Sequence, residues 1–130
     1  MVKEKTLEIL HQLGFAPEEL EDNMGYRFEY EGLNLLYVAE DDDANCLTFM
    51  LPGIFDVTEE NGVAVMGAML QLCAKLKYIQ PVNLHDSVWL QYQHFMLDGA
   101  EPTPEIIEHI VIVLAAGIAN FQQILEDYEE

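Results

Sequence analysis

Apolar residues recur along this chain at two different spacings, and the changes between them divide it into helices and strands. Leu7, Ile9, Leu10 and Leu13 recur at helical spacing with Glu4, Glu8 and His11 between them, which predicts an amphipathic first helix of about three turns. Gly14 is placed to cap its C-terminus and Pro17 ends it. From Asn23 the period becomes two. Tyr26, Phe28 and Tyr30 point one way, and Arg27 and Glu29 the other. Glu31-Gly32 then reads as a tight hairpin turn, the glycine supplying a positive φ. A two-residue loop sets the register: Tyr30 opposite Leu33, Phe28 opposite Leu35 and Tyr26 opposite Tyr37, with all six on one face.

A third strand, Cys46–Leu51, follows the acidic run Asp41–Asn45. Placing Leu47, Phe49 and Leu51 on the core side leaves Leu36, Val38, Thr48 and Met50 on the other face, which is more apolar than a solvated sheet needs. Pro52-Gly53 is expected to break the strand, and Asp56 with Glu59 resembles a capping box opening a long helix near Val57. The expected buried face of that helix is Val57, Ala64, Val65, Ala68, Leu72, Cys73 and Leu76, packed on the sheet. Tyr78–Leu84 and Ser87–Phe95 read as a second strand pair turning at His85-Asp86, with Pro81 confining its strand to an edge or bulge. Trp89 falls opposite Val88 and Leu90, on the same outer face as Leu36 and Met50. Thr103 caps a last helix, Pro104 occupies its first turn, and Ile107, Ile110, Val111, Leu114, Ile118, Phe121 and Leu125 form its stripe. The resulting order is α-β-β-β-α-β-β-α, which predicts a single α+β domain over residues 1–130 with a five-stranded antiparallel sheet.

Charge narrows the function classes. With 24 Asp and Glu against 5 Lys and Arg, the formal net charge is −19. Nucleic-acid binding requires cations that neutralise phosphates, so no nucleic-acid partner is expected. The same charge opposes anionic lipid, and the most apolar stretch, Ile110–Ala119, is shorter than the roughly 20 residues of a membrane span. A basic or apolar polypeptide segment fits better. Cys46 and Cys73 are the only cysteines and form no metal or redox motif. They read as buried free thiols of a cytoplasmic protein. No export signal is visible at the N-terminus.

Candidate chemistry fails on spacing. Asp41, Asp43 and Asn45 alternate as in a calcium loop, but Cys46 stands where the loop needs glycine and Pro52 where it needs glutamate. His85-Asp86-Ser87 holds the letters of a hydrolase triad, yet consecutive residues point apart and no nucleophile elbow surrounds Ser87. His11, His85, His94 and His109 show no metal-ligand spacing, and no phosphate-binding glycine loop occurs. Catalytic residues, metal and cofactor are therefore expected to be absent. An enzyme would need His94 to meet an acidic residue in a deep cleft.

From the Leu7 helix through the Tyr26–Leu51 meander and the Val57–Lys77 helix to the Thr103 helix, the element order resembles the class I type III secretion chaperone fold and the related YbjN-like bacterial proteins. That resemblance implies a homodimer binding an extended partner segment without nucleotide, self-associating through the last helix or the second strand group. The expected partner surface is Leu36, Val38, Met50 and Trp89. A small-molecule pocket between the first helix and the sheet is the alternative.

Overall fold

The computed structural model describes residues 2–21, 25–38, 46–76, 78–96 and 100–129. Helix α1, Val2–Gln12, ends as its sequence dictates. Gly14 takes a φ of 91°, its N–H donates to the His11 carbonyl, and the Phe15 N–H donates to that of Leu10 at 2.9 Å. These are the two bonds of a Schellman cap. Phe15 is thereby turned onto Phe28, with ring centroids 5.2 Å apart.

Six strands form one antiparallel sheet in the order β1-β2-β3-β4-β6-β5: β1 Glu18–Glu19, β2 Tyr26–Tyr30, β3 Leu33–Val38, β4 Cys46–Asp56, β5 Ile79–Leu84 and β6 Ser87–Phe95. The β2–β3 hairpin has the expected register, with Tyr30 opposite Leu33 and Tyr26 opposite Tyr37. The α+β class and the element order stand, but the strand count is one higher than expected. The addition, β1, is two residues long and pairs Glu18 with Arg27. Arg27 also donates to the Asn34 side chain at 2.7 Å. Pro52-Gly53 does not end β4. The strand runs on to Asp56 through an irregularity between Leu51 and Phe55, where Gly53 takes a φ of 56°. A bulge absorbs the proline that a regular central strand would reject. Pro81 lies in β5, at the sheet edge, as expected.

Helix α2 runs Gly62–Lys75, starting five residues later than Val57. No side-chain hydrogen bond caps it at Asn61; a reciprocal pair stands instead in the turn before it. The Thr58 N–H donates to Asn61 Oδ1 at 2.7 Å, and the Asn61 N–H donates back to Thr58 Oγ1 at 3.3 Å. Asp56, taken for the cap, belongs instead to β4. Helix α3, Pro104–Glu129, is capped by Thr103, whose hydroxyl accepts from the Ile106 N–H at 3.2 Å. By length and composition α3 could cross a bilayer, longer than the apolar stretch alone suggested. Here its stripe packs on the sheet, with Ile107, Ile110, Leu114 and Phe121 fully buried.

All three helices lie on one face. A Cβ on Gly117 of α3 would stand 2.7 Å from Leu90 and 2.9 Å from Ile79, Pro81 lines the flank of α2, and Thr6 of α1 hydrogen-bonds Tyr37. The core is built from the inward residues Phe28, Leu35, Tyr37, Leu47, Phe49, Val88, Leu90 and Tyr92. Ile9, Leu10, Val65, Ala68 and Leu72 complete it from the helical side.

Candidate functional site

The sheet's other face carries no helix among the described residues. Its side chains follow from the register: Arg27, Leu36, Met50, Gln91 and Gln80 form one row across five strands. Val38, Thr48 and Gln93 form the next, and Trp89 pairs with Val82. From β3 through β5 none of these residues is charged, on a chain with a net charge of −19. Leu36, Val38, Met50 and Trp89 therefore do share one surface. Leu36 and Met50 are direct cross-strand partners. Trp89 sits two positions from Gln91, on the diagonal from Met50, within reach of long side chains.

Access differs among the four. Leu36 is only 8% exposed, being flanked on the same face by Arg27 and Met50. Thr48 is 6% exposed, between Val38 and Gln93. Val38, Met50 and Trp89 are half-buried. The arrangement is an apolar strip in which Leu36 is covered and Val38, Met50 and Trp89 are the reachable side chains.

The chemistry-bearing residues do not converge. His85 and Asp86 occupy the β5–β6 turn with φ of 52° and 58°, and Ser87 begins β6 opposite Asp56. His94 faces inward opposite Leu47, and no hydrogen bond or ion pair joins it to a carboxylate among the described residues. No group of three His, Cys, Asp or Glu side chains could hold a metal ion among the described residues. The Asp41–Asn45 run lies outside them. Burial raises the Tyr37 and Tyr92 hydroxyls above their usual pKa of 10.0; both are structural groups of the inner face. The α1–sheet junction, expected to open into a pocket, is packed: Thr6, Ile9 and Leu10 are fully buried.

A groove of about 660 Å³ opens elsewhere, between α2 and β5, lined by Val57, Val63, Met66, Met69, Leu70, Cys73 and Pro81 among others. Val63, Met66 and Leu70 are 87%, 65% and 69% exposed. Cys73, expected in the core, is exposed, and Cys46 is half-buried. The periodicity of Val65, Ala68 and Leu72 correctly marks the inward face of α2. The signal overlooked was that the helix is apolar around most of its circumference, so a second apolar face had to point outward.

No protein-family model matches this chain, and no curated protein matches it. Among solved structures, the chain is similar to the crystal structure of YbjN from E. coli, a proposed transcription regulator, at 15% identity and a TM-score of 0.65, over 97% of this chain and 90% of that one. The fold is thus YbjN-like; this similarity supports that half of the expected resemblance and not a secretion-chaperone family.

Proposed function

We propose that this chain is a non-enzymatic, chaperone-like protein-binding module, cytoplasmic and homodimeric, that holds a partner polypeptide segment against the outer face of its sheet. The observation that carries this reading is the uncharged strip of Leu36, Val38, Met50 and Trp89, with no helix above it among the described residues. Trp and Met suit such a surface, one as a large anchor and the other as an adaptable contact. The surrounding negative charge favours a segment that is apolar with basic flanks. YbjN-like folds accommodate this reading, since a regulator can act through protein contacts. Five Lys and Arg against 24 Asp and Glu make a DNA surface the poorer choice. Unpaired Cys46 and Cys73 suit a reducing compartment.

Trp89 is the only tryptophan, so it reports on its own site. Titration with a tiled set of basic–apolar peptides should blue-shift its emission for the segments that bind. Measured by titration calorimetry, which does not need the tryptophan, Trp89→Ala and Val38→Asp should each weaken those segments at least about tenfold, roughly 1.4 kcal/mol. Unchanged affinity in both variants would remove the outer face from consideration.

The groove beside α2 supports a second reading, a small apolar ligand, because its volume falls within the range of ligand sites, about 300–1,000 Å³. Thermal shifts across a metabolite panel test it.

A further inference from the structure

Phe95 stands on the same outer face as Leu36, Val38, Met50 and Trp89. It shares the parity of Trp89, Gln91 and Gln93 along β6, pairs with Cys46 of β4 and is 65% exposed. Trp89 and Phe95 are thus two aromatic side chains on one strand and one face. Six positions separate them, about 20 Å at the rise of an antiparallel strand. Between them stand Gln91 and Gln93, opposite Met50 and Thr48. Charge returns past the Trp89 end, where Asp56 faces Ser87 one row further on and is exposed.

We infer that the partner segment lies extended along β6, with two large apolar side chains six residues apart seated on Trp89 and Phe95. A Lys or Arg stands two residues outside the one on Trp89. This rests on the outer-face reading above and names the chemistry of its partner. An extended chain rises about 3.3 Å per residue, as the strand beneath it does, so equal spacing keeps the anchors in step. Six is even, and side chains of an extended chain alternate, so both anchors point at the sheet. Five or seven would turn one of them to solvent. The side chains between the anchors that also face the sheet meet the Gln91 and Gln93 amides. Those groups both donate and accept hydrogen bonds, so polar uncharged residues fit there. Charge selects the flank: a cation beyond Trp89 meets the Asp56 carboxylate, whereas an acidic residue would meet its like. A course across the strands offers less. The row Arg27, Leu36, Met50, Gln91 and Gln80 holds no aromatic residue, and Leu36 within it is covered.

The test uses the full chain and synthetic Ser–Gln peptides carrying two leucines, read by titration calorimetry. Leucines at i and i+6 should bind at least about tenfold more tightly than leucines at i and i+5 or i+7. Phe95→Ala and Trp89→Ala should each erase that preference with an unchanged far-ultraviolet spectrum, since neither side chain belongs to the core. An arginine two positions outside one leucine should tighten binding at one end of the peptide. Asp56→Asn should remove that gain and leave the arginine-free peptide unaffected. Equal affinity at all three spacings, in peptides still weakened by Val38→Asp, would overturn the paired anchors and leave the outer face as a partner surface. No binding by these or the tiled peptides would overturn both. A mass in light scattering that falls on Phe95→Ser would give the face to a second copy and overturn the inference.

Discussion

Two buried hydroxyls tie the first helix to the sheet. Thr6 is fully buried and Tyr37 is 2% exposed, and their side chains hydrogen-bond each other. Burial holds the Tyr37 hydroxyl above its usual pKa of 10.0; the Thr6 bond lowers it, and Tyr26 and Glu4 add to the rise. Tyr37→Phe should cost about 1–2 kcal/mol in urea unfolding, the value of a buried hydrogen bond and a stranded partner. The pH dependence has a definite sign. Below pH 10 the hydroxyl is protonated whether the chain is folded or not. Above it the unfolded chain ionises first, so stability falls as pH rises. Tyr92, shifted the same way by burial and by Tyr78, adds to that fall. The loss of stability between pH 8 and pH 11 should therefore be smaller in the Tyr37→Phe variant than in the wild type, with the part due to Tyr92 remaining. An equal loss in both would show that Tyr37 does not carry the alkaline term.

Turns and caps show how local chemistry assembles the elements. Both hairpin turns use two consecutive positive φ values: 48° and 83° at Glu31-Gly32, and 52° and 58° at His85-Asp86. The second lacks glycine, so it sits in a strained region that Asn-Gly adopts readily. Replacing His85-Asp86 by Asn-Gly should raise stability by about 0.5–1 kcal/mol, read as a higher urea midpoint at unchanged slope. A lower midpoint would mean that contacts of the turn outweigh its strain. Elements governed by such neighbouring signals were legible in advance: the Gly14 cap, the β2–β3 register, the Thr103 cap and the placing of Pro81 at an edge. Elements decided by distant partners were not. A two-residue β1 has no period to detect, and β4 continues past Pro52 because β6 resumes pairing at Phe55. The start of α2 was missed because Asp56 was claimed by a strand. Of the candidate site, the outer strip was legible from alternation alone. The groove was not, since Val63, Met66 and Leu70 look like core until the other face of α2 is seen to be in use.

Charge acts on the chain as one body. A net charge of −19 on 130 residues repels itself wherever it is compacted, at a range of about 10 Å in 0.1 M salt. Raising sodium chloride from low ionic strength should lift the melting temperature by several degrees. A flat response would mean that the acidic groups are already neutralised locally. The two margins of the sheet carry a further consequence. One is closed by a two-residue strand of glutamates and the other by a strand containing proline. Backbone templating by a further strand is therefore hindered on either side. Edge-to-edge growth of these molecules into fibres is thus opposed by geometry, however concentrated they become.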